Sequence, residues 1–327
     1  MGFPTVAMEL IDPHGLADRF IAEWRDPSPF IIARTSGSTG APKEIRLPKA
    51  DMEVSARATC SFFGIDSSSL LYMPLSADYI AGKMMIVRAL VSGASLQIVT
   101  PSSDPLPLKP AGRVALLPVV PAQVAQLLSS PSLHLVSDII VGGAPLTYAQ
   151  EDALRRCGAG VYATYGMTET CSHVALRSIS CAQAWYEAMP GVEFSADSRG
   201  CLVIESSAYS WKRIVTNDVV RLLDSRRFIW LGRADNIINS GGVKMVPEEI
   251  ERILAADLAG RPFYITSRPS DRWGEELVMV VEDLSLDSRA FLQYLRGRHP
   301  HRILPKAICT VASIPRTSSG KIIRKKM

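Results

Sequence analysis

The segment Arg34-Thr-Ser-Gly-Ser-Thr-Gly-Ala-Pro-Lys43 largely decides which fold is expected of this chain. Runs of Gly, Ser and Thr are typical of turns and flexible linkers. This run, however, follows the short apolar stretch 30–33 and precedes a strand-like alternation at 44–47. A loop that joins two strands is held at both ends. The pattern therefore favours a structured loop over a tether.

The chemistry of this loop suits phosphate. Hydroxyl groups and the backbone N–H groups of glycines donate to phosphate oxygens. The hydroxyls belong to Thr35, Ser36, Ser38 and Thr39. Gly37 and Gly40 permit close approach of a ligand, and Lys43 offers a positive charge. The loop is not a Walker A motif, which needs GxxxxGK followed by Ser or Thr, so a P-loop kinase or GTPase is not expected.

Length and composition are those of a soluble globular protein. The 327 residues suggest about two domains, and 47% hydrophobic with 21% charged residues is an ordinary balance. A net charge of +4 is too small to indicate a nucleic-acid or membrane partner. The six cysteines form no CxxC pair and the five histidines form no HExxH motif, so no disulfide framework or protein-built metal site is expected.

No targeting or membrane segment is expected either. The N-terminus lacks a basic region followed by an apolar core, and no apolar run approaches the ~18 residues that a transmembrane helix needs. We therefore expect a cytoplasmic protein without a membrane span. The sequence leaves the oligomeric state open.

Alternating helix-like and strand-like segments predict an α/β fold. Helices are predicted at 49–63, 80–91, 121–129, 147–157, 247–256 and 288–298. Strands are predicted at 70–73, 95–99, 114–117, 138–141 and 160–163, and shorter ones at 201–206, 213–215, 219–223, 228–231, 262–266, 276–281 and 307–311. We predict a large N-terminal domain, 1–233, with a helix-covered, mostly parallel sheet plus short strands. A smaller, mobile α+β lid domain, 234–327, is expected to follow.

Three unusual stretches are predicted to follow strands of the large sheet. They are TSGSTGAPK (35–43), GGAPL (142–146) and YGMTET (165–170). Because ligands of open α/β sheets bind outside the carboxyl ends of the strands, we expect the three to form one site. Within the third, Thr168 and Glu169 offer a hydroxyl for phosphate and a carboxylate for Mg²⁺, or else a cap and a dipole complement for a helix N-terminus. These residues alone leave both interpretations open.

Six motifs occur in one order: TSGSTGAPK, GGAPL, YGMTET, TND (216–218), LGRADNIINSGGVKMVPEEIE (231–251) and PRTSSGK (315–321). In this order they resemble the adenylate-forming superfamily of acyl-CoA and aryl-CoA ligases, luciferases and peptide-synthetase adenylation domains. The resemblance runs from about Phe30 to the C-terminus. It implies that a carboxylate attacks the α-phosphate of ATP, releasing pyrophosphate and giving an acyl-AMP. A thiol, usually that of coenzyme A, then displaces AMP to form a thioester.

The resemblance also implies the residues that bind ATP and Mg²⁺. The phosphate loop comprises Thr35, Ser36, Gly37, Ser38, Thr39, Gly40 and Lys43. The adenine pocket comprises Gly143, Ala144 and Pro145, with Tyr165 stacked on the base and Gly166 next to it. Thr168 is expected to contact the α-phosphate, while Glu169 helps to hold Mg²⁺. Asp218 would accept from the ribose hydroxyls, and Arg233 would support ribose and phosphate.

For the lid, the resemblance implies a hinge at Asp235. Gly241 and Gly242 would let its backbone approach the pantetheine of coenzyme A, although two glycines also suit an ordinary turn. Lys321 would be the adenylation lysine, delivered in one lid orientation and withdrawn in the other. The chain departs from the family pattern at Arg34, Glu44 and Asn217. Only 34 residues precede the phosphate loop, so the contacts that a longer N-terminal region makes in most relatives are in doubt.

A finer resemblance concerns the acid. The stretch 73–90 resembles the o-succinylbenzoate–CoA ligases of menaquinone biosynthesis, whose pattern falls here on Tyr79, Gly82 and Arg88, with two extra residues after Pro74-Leu75. Arg88 interrupts an apolar run and is the candidate partner for the second carboxylate of that acid. The alternative is a helix arginine that extends to solvent. Lys83, one turn earlier, is a further candidate.

Other functions stay open. The acid could be a different aryl or fatty acid, and a separate carrier protein could replace coenzyme A as acceptor. No phosphopantetheine segment follows the lid in this sequence, so a free thiol is the simpler expectation. A non-catalytic nucleotide-binding module would have no need of the mobile Lys321.

Overall fold

The computed structural model describes residues 9–35, 43–300, 303–316 and 322–327, and of Arg34, Thr35 and Lys43 it describes only the backbone. Seven α-helices lie in the described residues: α1 Asp18–Arg25, α2 Lys49–Phe63, α3 Ile80–Ser92, α4 Val124–Ser129, α5 Tyr148–Arg155, α6 Pro247–Leu254 and α7 Ser288–Arg298. None of these helices is long and apolar enough to cross a membrane.

The same residues contain nineteen strands. The first nine are β1 Leu10–Ile11, β2 Phe30–Thr35, β3 Lys43–Pro48, β4 Leu70–Met73, β5 Ser95–Ile98, β6 Val114–Val119, β7 Val136–Val141, β8 Gly160–Gly166 and β9 His173–Ser178. The next five are β10 Tyr186–Ala188, β11 Glu193–Ala196, β12 Cys201–Glu205, β13 Arg213–Asp224 and β14 Arg227–Arg233. The last five are β15 Ile238–Ser240, β16 Val243–Met245, β17 Phe263–Ser270, β18 Gly274–Val281 and β19 Ala307–Thr310.

One large sheet has the strand order β1-β5-β4-β6-β7-β8-β9-β10-β14-β13-β12-β11. In this spatial order, neighbouring strands are parallel from β1 as far as β8. From β8 to the other edge of the sheet at β11, neighbouring strands are antiparallel. The expectation of a mostly parallel sheet is therefore wrong, because half of the sheet is antiparallel. The physical reason is connection length: the short links after β8 cannot carry the crossover that a parallel neighbour needs.

Strands β2 and β3 form a separate two-stranded antiparallel sheet, with Thr35 opposite Lys43. The prediction that strands flank the phosphate-loop segment is confirmed. The prediction that this segment follows a strand of the large sheet is wrong. The hairpin is nevertheless anchored in the core, since Ile31 and Leu47 are buried.

A glycine follows each of two predicted helices: α2 ends at the predicted residue 63, and α3 ends at Ser92, one residue later than predicted. Gly64 follows α2 with φ of +64°, and Gly93 follows α3 with φ of +75°. This left-handed conformation suits glycine at a helix C-terminus. Helix α1 and the strands β1, β9–β11, β15 and β16 were not predicted. Strands β1, β10, β15 and β16 have only two or three residues, too few for a periodicity to be recognised.

A second, smaller sheet lies towards the C-terminus. It contains β16, β15, β18 and β17 in that order, all antiparallel, and β19 adds to β18 in parallel. Helices α6 and α7 bury Ile250, Leu254 and Leu295 in its core. The last strand of the large sheet ends at Arg233 and the first strand of the small sheet begins at Ile238. The domain boundary at 233/234 and the mobility of the lid stay predictions.

Candidate active site

Two of the three predicted stretches meet at one edge of the large sheet. GGAPL (142–146) directly follows β7, and YGMTET (165–170) begins at the end of β8. These two strands are parallel neighbours. Gly142 packs so closely on β8 that a Cβ at this position would lie 2.5 Å from Thr164 Oγ1. Gly143 has φ of +87°, which glycine adopts without strain. Gly143 and Pro145 are exposed and Ala144 is half-buried, so this edge is lined by small groups.

Asp218 on β13 is the centre of a hydrogen-bonded cluster and is 7% exposed. Its Oδ2 accepts from the Tyr165 hydroxyl at 2.8 Å, and its Oδ1 accepts from Trp230 Nε1 at 3.1 Å. Arg233 Nη1 lies 3.6 Å from Oδ1. A carboxylate has about four lone-pair positions, so two hydrogen bonds leave room for two more donors. This arrangement fits the two hydroxyls of a ribose.

Tyr165 is held by aromatic neighbours as well as by Asp218. Its ring meets Phe228 edge-on, with centroids 5.1 Å apart, and lies 5.8 Å from the ring of Tyr186. Burial raises the pKa of Tyr165, and the Asp218 carboxylate raises it further. The hydroxyl therefore stays protonated and donates. This geometry leaves the orientation of the ring fixed before any base stacks on it.

The predicted hinge residue is tied to the same cluster. Arg233 Nη2 lies 3.1 Å from Asp235 Oδ2, and Asn217 Nδ2 lies 3.4 Å from Asp235 Oδ1. Arg199 Nη1 in turn donates to Asn217 Oδ1 at 3.1 Å. Burial lowers the pKa of Arg233, but the carboxylates of Asp218 and Asp235 outweigh it and the pKa is raised. Asn217, one of the departures from the family pattern, thus directly precedes Asp218 in the chain and contacts Asp235, the predicted hinge residue.

The turn between β8 and β9 connects two parts of the site. A Cβ at Gly166 would overlap Ser172 O and His173 Cα, so only glycine fits there. Thr170 Oγ1 donates to Ser172 O at 2.7 Å, and Cys171 has φ of +65°, a strained value for a residue with a side chain. The turn therefore places YGMTET on one side and Ser172-His173 on the other.

Thr168 and Glu169 lie in this turn within a 3₁₀ helix of three residues, Thr168–Thr170. The alternative interpretation made Thr168 the cap of a helix; here Thr168 is the first residue of the short helix and Met167 precedes it. Glu169 is exposed, and its carboxylate is the hard oxygen ligand that Mg²⁺ prefers. In the described part of the chain no group of three or more His, Cys, Asp or Glu is placed to hold a metal. A bound Mg²⁺ would therefore rely on Glu169 together with phosphate oxygens and water.

Arg88 on α3 is 2% exposed, so the alternative that it extends to solvent is wrong. Its Nη2 donates to Ser172 Oγ at 2.6 Å, and its Nη1 lies 3.4 Å from Met85 Sδ. Its Nε is buried without a hydrogen-bond partner, and no carboxylate among the described residues forms an ion pair with it. Burial lowers the pKa of Arg88 to about 10, so the guanidinium is charged at neutral pH.

Lys83 and Tyr79 lie differently from Arg88. Lys83 Nζ lies 3.5 Å from Glu23 Oε2 and 4.5 Å from the ring centroid of Phe20, so it is engaged with α1. Tyr79 directly precedes α3 and is 57% exposed. The structure does not bring either side chain to the Arg88 guanidinium. Their role in binding the acid stays a prediction.

In the small sheet, Gly241 and Gly242 form the two-residue turn between β15 and β16. Their φ angles are +59° and +82°, the combination that a tight hairpin turn requires. A Cβ at Gly241 would lie 2.7 Å from Trp273 Cε3. Both glycines are exposed. The turn is a sufficient local reason for them, and their approach to pantetheine stays a prediction.

Several predicted residues lie outside the described residues. They are Ser36, Gly37, Ser38, Thr39, Gly40 and Lys321. Thr35 and Lys43 are the paired ends of β2 and β3.

Four residues of the candidate site were not predicted from the sequence: Thr59, Ser172, His173 and Trp230. Ser172 and His173 are the polar pair between YGMTET and the apolar run 174–176, which was the available signal. Thr59 and Trp230 carry no such sequence signal. Each is recognised only by its hydrogen bond in the structure, Thr59 to His173 and Trp230 to Asp218. Thr59 Oγ1 lies 3.2 Å from His173 Nε2, across 114 positions.

Comparisons with known proteins identify the family of this chain. A family model described as AMP-binding enzyme matches residues 12–203. The chain is 26% identical to an indoleacetate–CoA ligase of Aromatoleum aromaticum, over 91% of this chain and 67% of that protein. It is 27% identical to a probable 2-succinylbenzoate–CoA ligase of Mycobacterium tuberculosis, over 93% of this chain and 85% of that protein.

Among solved structures, the fold is similar to that of an acyl-CoA synthetase (AMP-forming)/AMP-acid ligase II-like protein from Dyadobacter fermentans. The TM-score is 0.65 and the sequence identity is 31%, and the match covers 95% of this chain and 92% of that chain. The match therefore spans nearly the whole of both chains.

Proposed function

This chain belongs to the AMP-binding enzyme family, and we propose that it is an ATP-dependent acid–CoA ligase whose acid is an aryl dicarboxylate, o-succinylbenzoate. One observation carries the choice of acid: Arg88 is a buried guanidinium without a carboxylate partner among the described residues. An unpaired buried charge is strongly disfavoured. An acid with a second carboxylate would supply the partner, while its first carboxylate is activated.

The contact of Arg88 with the turn that follows β8 supports this proposal. Arg88 donates to Ser172, and Ser172 belongs to the same turn as Thr168 and Glu169. One turn would therefore hold the spectator carboxylate at one end and the α-phosphate at the other. The activated carboxylate would lie between them, where Thr168 could donate to a phosphate oxygen.

The nucleotide is proposed to bind through side chains that hydrogen bonds and ring contacts already hold in place. Asp218 would accept from the ribose hydroxyls at its two remaining acceptor positions, and Tyr165 would present its ring to adenine. Glu169 would hold Mg²⁺, which when bound neutralises charge on the phosphates. Preorganised donors and a positioned carboxylate supply most of what phosphoryl chemistry of this kind needs, since little covalent work falls to the protein.

The second half-reaction is proposed to use another orientation of residues 234–327. Rotation about Asp235 would withdraw Lys321 and bring the turn at Gly241-Gly242 to the acyl-AMP. Arg233 and Asn217 both contact Asp235, so a rotation there would exchange contacts of the nucleotide site. Coenzyme A is the proposed acceptor, and a carrier protein is the alternative.

A second candidate acid is an aryl monocarboxylate. The similarity to an indoleacetate–CoA ligase favours it. In that case Arg88 would be a structural group that braces Ser172, and its unpaired Nε would remain without a function.

ATP–pyrophosphate exchange tests the choice of acid. The panel should contain o-succinylbenzoate, a benzoate analogue without the second carboxylate, indoleacetate and a fatty acid, each with and without coenzyme A. We expect fastest exchange with o-succinylbenzoate and thioester formation when coenzyme A is added. Preference for a monocarboxylate would overturn the dicarboxylate proposal and leave only the wider ligase function. No exchange with any acid, together with ATP binding, would favour a nucleotide-binding module.

A further inference from the structure

His173 is the first residue of β9 and is 6% exposed, next to the acid end of the site. Its Nε2 lies 3.2 Å from Thr59 Oγ1 on α2, and its Nδ1 lies 3.4 Å from Ser172 Oγ. Ser172 Oγ is the atom that accepts from Arg88 Nη2. The imidazole therefore connects α2 to the guanidinium through one hydroxyl.

The hydrogen bonds around the ring agree with one tautomer. Ser172 Oγ accepts from Arg88, so its own proton is available for His173 Nδ1. Thr59 Oγ1 donates to Ser55 O at 3.0 Å, so its proton is used and its oxygen can accept. The ring must then carry its proton on Nε2 and donate to Thr59. The opposite tautomer would need Thr59 to give up the bond to Ser55.

The neutral ring is also what the surroundings favour. Burial lowers the pKa of His173 well below its usual value, and the neighbouring Arg88 charge lowers it further. A protonated ring would lose the acceptor at Nδ1 and put a second cation beside Arg88. A neutral ring with one donor and one acceptor satisfies both hydroxyls.

We propose that His173 is a positioning residue for acid selection, holding the Ser172 hydroxyl and thereby the Arg88 guanidinium in place for the second carboxylate. This inference rests on the proposed dicarboxylate ligase function. His173 itself need not touch the acid. Its contribution is to reduce the number of orientations open to Ser172 and Arg88 before the acid arrives, which lowers the ordering cost of binding.

The test compares variants by the ratio of kcat/KM for o-succinylbenzoate to kcat/KM for the monocarboxylic analogue. His173→Leu removes both ring nitrogens and should lower this ratio roughly 3–10-fold, the effect of one net hydrogen bond. His173→Asn keeps an acceptor near the place of Nδ1 and should retain most of the ratio. Thr59→Val removes the acceptor of Nε2–H, together with the hydrogen bond of Thr59 to Ser55 O, but leaves the bond between Nδ1 and Ser172, so it should give a smaller loss. His134→Gln, at an exposed histidine, is the control and should leave the ratio unchanged.

The KM for ATP and exchange with the monocarboxylate report a general structural effect. A loss shared equally by both acids in His173→Leu and Thr59→Val would overturn the positioning role, while the proposed function would stand on the wild-type ratio. A wild-type enzyme without preference for the dicarboxylate would overturn the proposed function, and the inference with it. If His173→Leu does not fold, Thr59→Val and His173→Asn decide the question.

The tautomer gives an independent test. Imidazole ¹⁵N chemical shifts distinguish Nε2–H from Nδ1–H in the wild-type protein. We expect the Nε2–H signature at neutral pH, and Thr59→Val should weaken it. An Nδ1–H or doubly protonated ring would overturn the proposed hydrogen-bond arrangement.

Discussion

Arg88 and Arg233 carry the same guanidinium, and the fold surrounds them in opposite ways. Arg88 is 2% exposed and meets a hydroxyl and a sulfur, with no carboxylate ion pair among the described residues. The Arg233 side chain is 46% exposed and lies 3.6 Å from Asp218 and 3.1 Å from Asp235. Both are expected to meet anionic parts of the substrates.

From this difference we infer separate roles for the two arginines, one in recognition of the acid and one in movement of the lid. A buried charge without a counterion costs stability and suits a place where a ligand anion will arrive. An exposed charge between two carboxylates contributes little stability and can change partners at low cost. We therefore expect the Arg88 region to decide which acid reacts, and the Arg233 region to follow nucleotide binding and the lid.

The largest effect is expected from Lys321→Ala, which tests the lid side of this comparison. Loss of one positioned charge donor should lower the rate of acyl-AMP formation roughly 10²–10³-fold. The variant should still convert synthetic acyl-AMP and coenzyme A into thioester, and the two half-reactions are to be measured separately. Equal loss of both would show that this chain does not use two lid orientations.

Arg88→Ala tests the acid side. A charge-assisted pairing contributes about 1.5–3 kcal/mol, so the preference for o-succinylbenzoate over its monocarboxylic analogue should fall roughly 10–200-fold. The measurement is kcat/KM for both acids. Arg233→Ala is the matched control and should weaken catalysis with both acids alike. A uniform loss in Arg88→Ala would make Arg88 structural and remove the contrast between the two arginines.

Glu169→Gln keeps the shape of the side chain and removes the charge proposed to hold Mg²⁺. Because this carboxylate is the hard oxygen ligand of the site, the Mg²⁺ concentration for half-maximal adenylation should rise roughly 10–100-fold. Circular dichroism checks that the fold is unchanged. An unaltered Mg²⁺ dependence would leave Glu169 as a residue of the turn only.

The smallest expected effect is the contribution of His173 to the pH dependence of the free energy of unfolding. The folded-state pKa of His173 lies below its usual value, first through burial and then through Arg88. Between the folded-state pKa and about 6.5, the unfolded chain binds more protons than the folded protein does. The free energy of unfolding therefore rises with pH in this window and decreases as the pH falls. The slope from one group is at most about 1.4 kcal/mol per pH unit.

Denaturant unfolding from pH 5 to 8 measures that slope. His173→Gln should flatten it. Burial raises the pKa of Cys60 and raises that of Tyr209 to about 12, so these two neighbours of Arg88 do not titrate in this range. A variant with the wild-type slope would show that His173 is not the group responsible.

Local pattern was sufficient for much of the fold. The bounds of α2 at Lys49–Phe63 and of β4 at Leu70–Met73 were predicted as they are observed, because helix period, glycine caps and short apolar runs are local signals. The antiparallel half of the large sheet and the separate β2–β3 hairpin were not. Both depend on which strands pair, and pairing is set by contacts between segments far apart in the sequence.

The sequence by itself indicated the class of site: ordered motifs with phosphate donors, the Glu169 carboxylate within YGMTET, and an arginine within an apolar helix. Only the tertiary structure decided how deeply these groups are buried and which partners they contact. It showed that Lys83 is engaged with Glu23, that Asp218 accepts hydrogen bonds from Tyr165 and Trp230, and that Arg88 is buried without a counterion among the described residues. The physical reason is that charge state and hydrogen-bond satisfaction depend on burial and on partners from other elements, which no local pattern specifies.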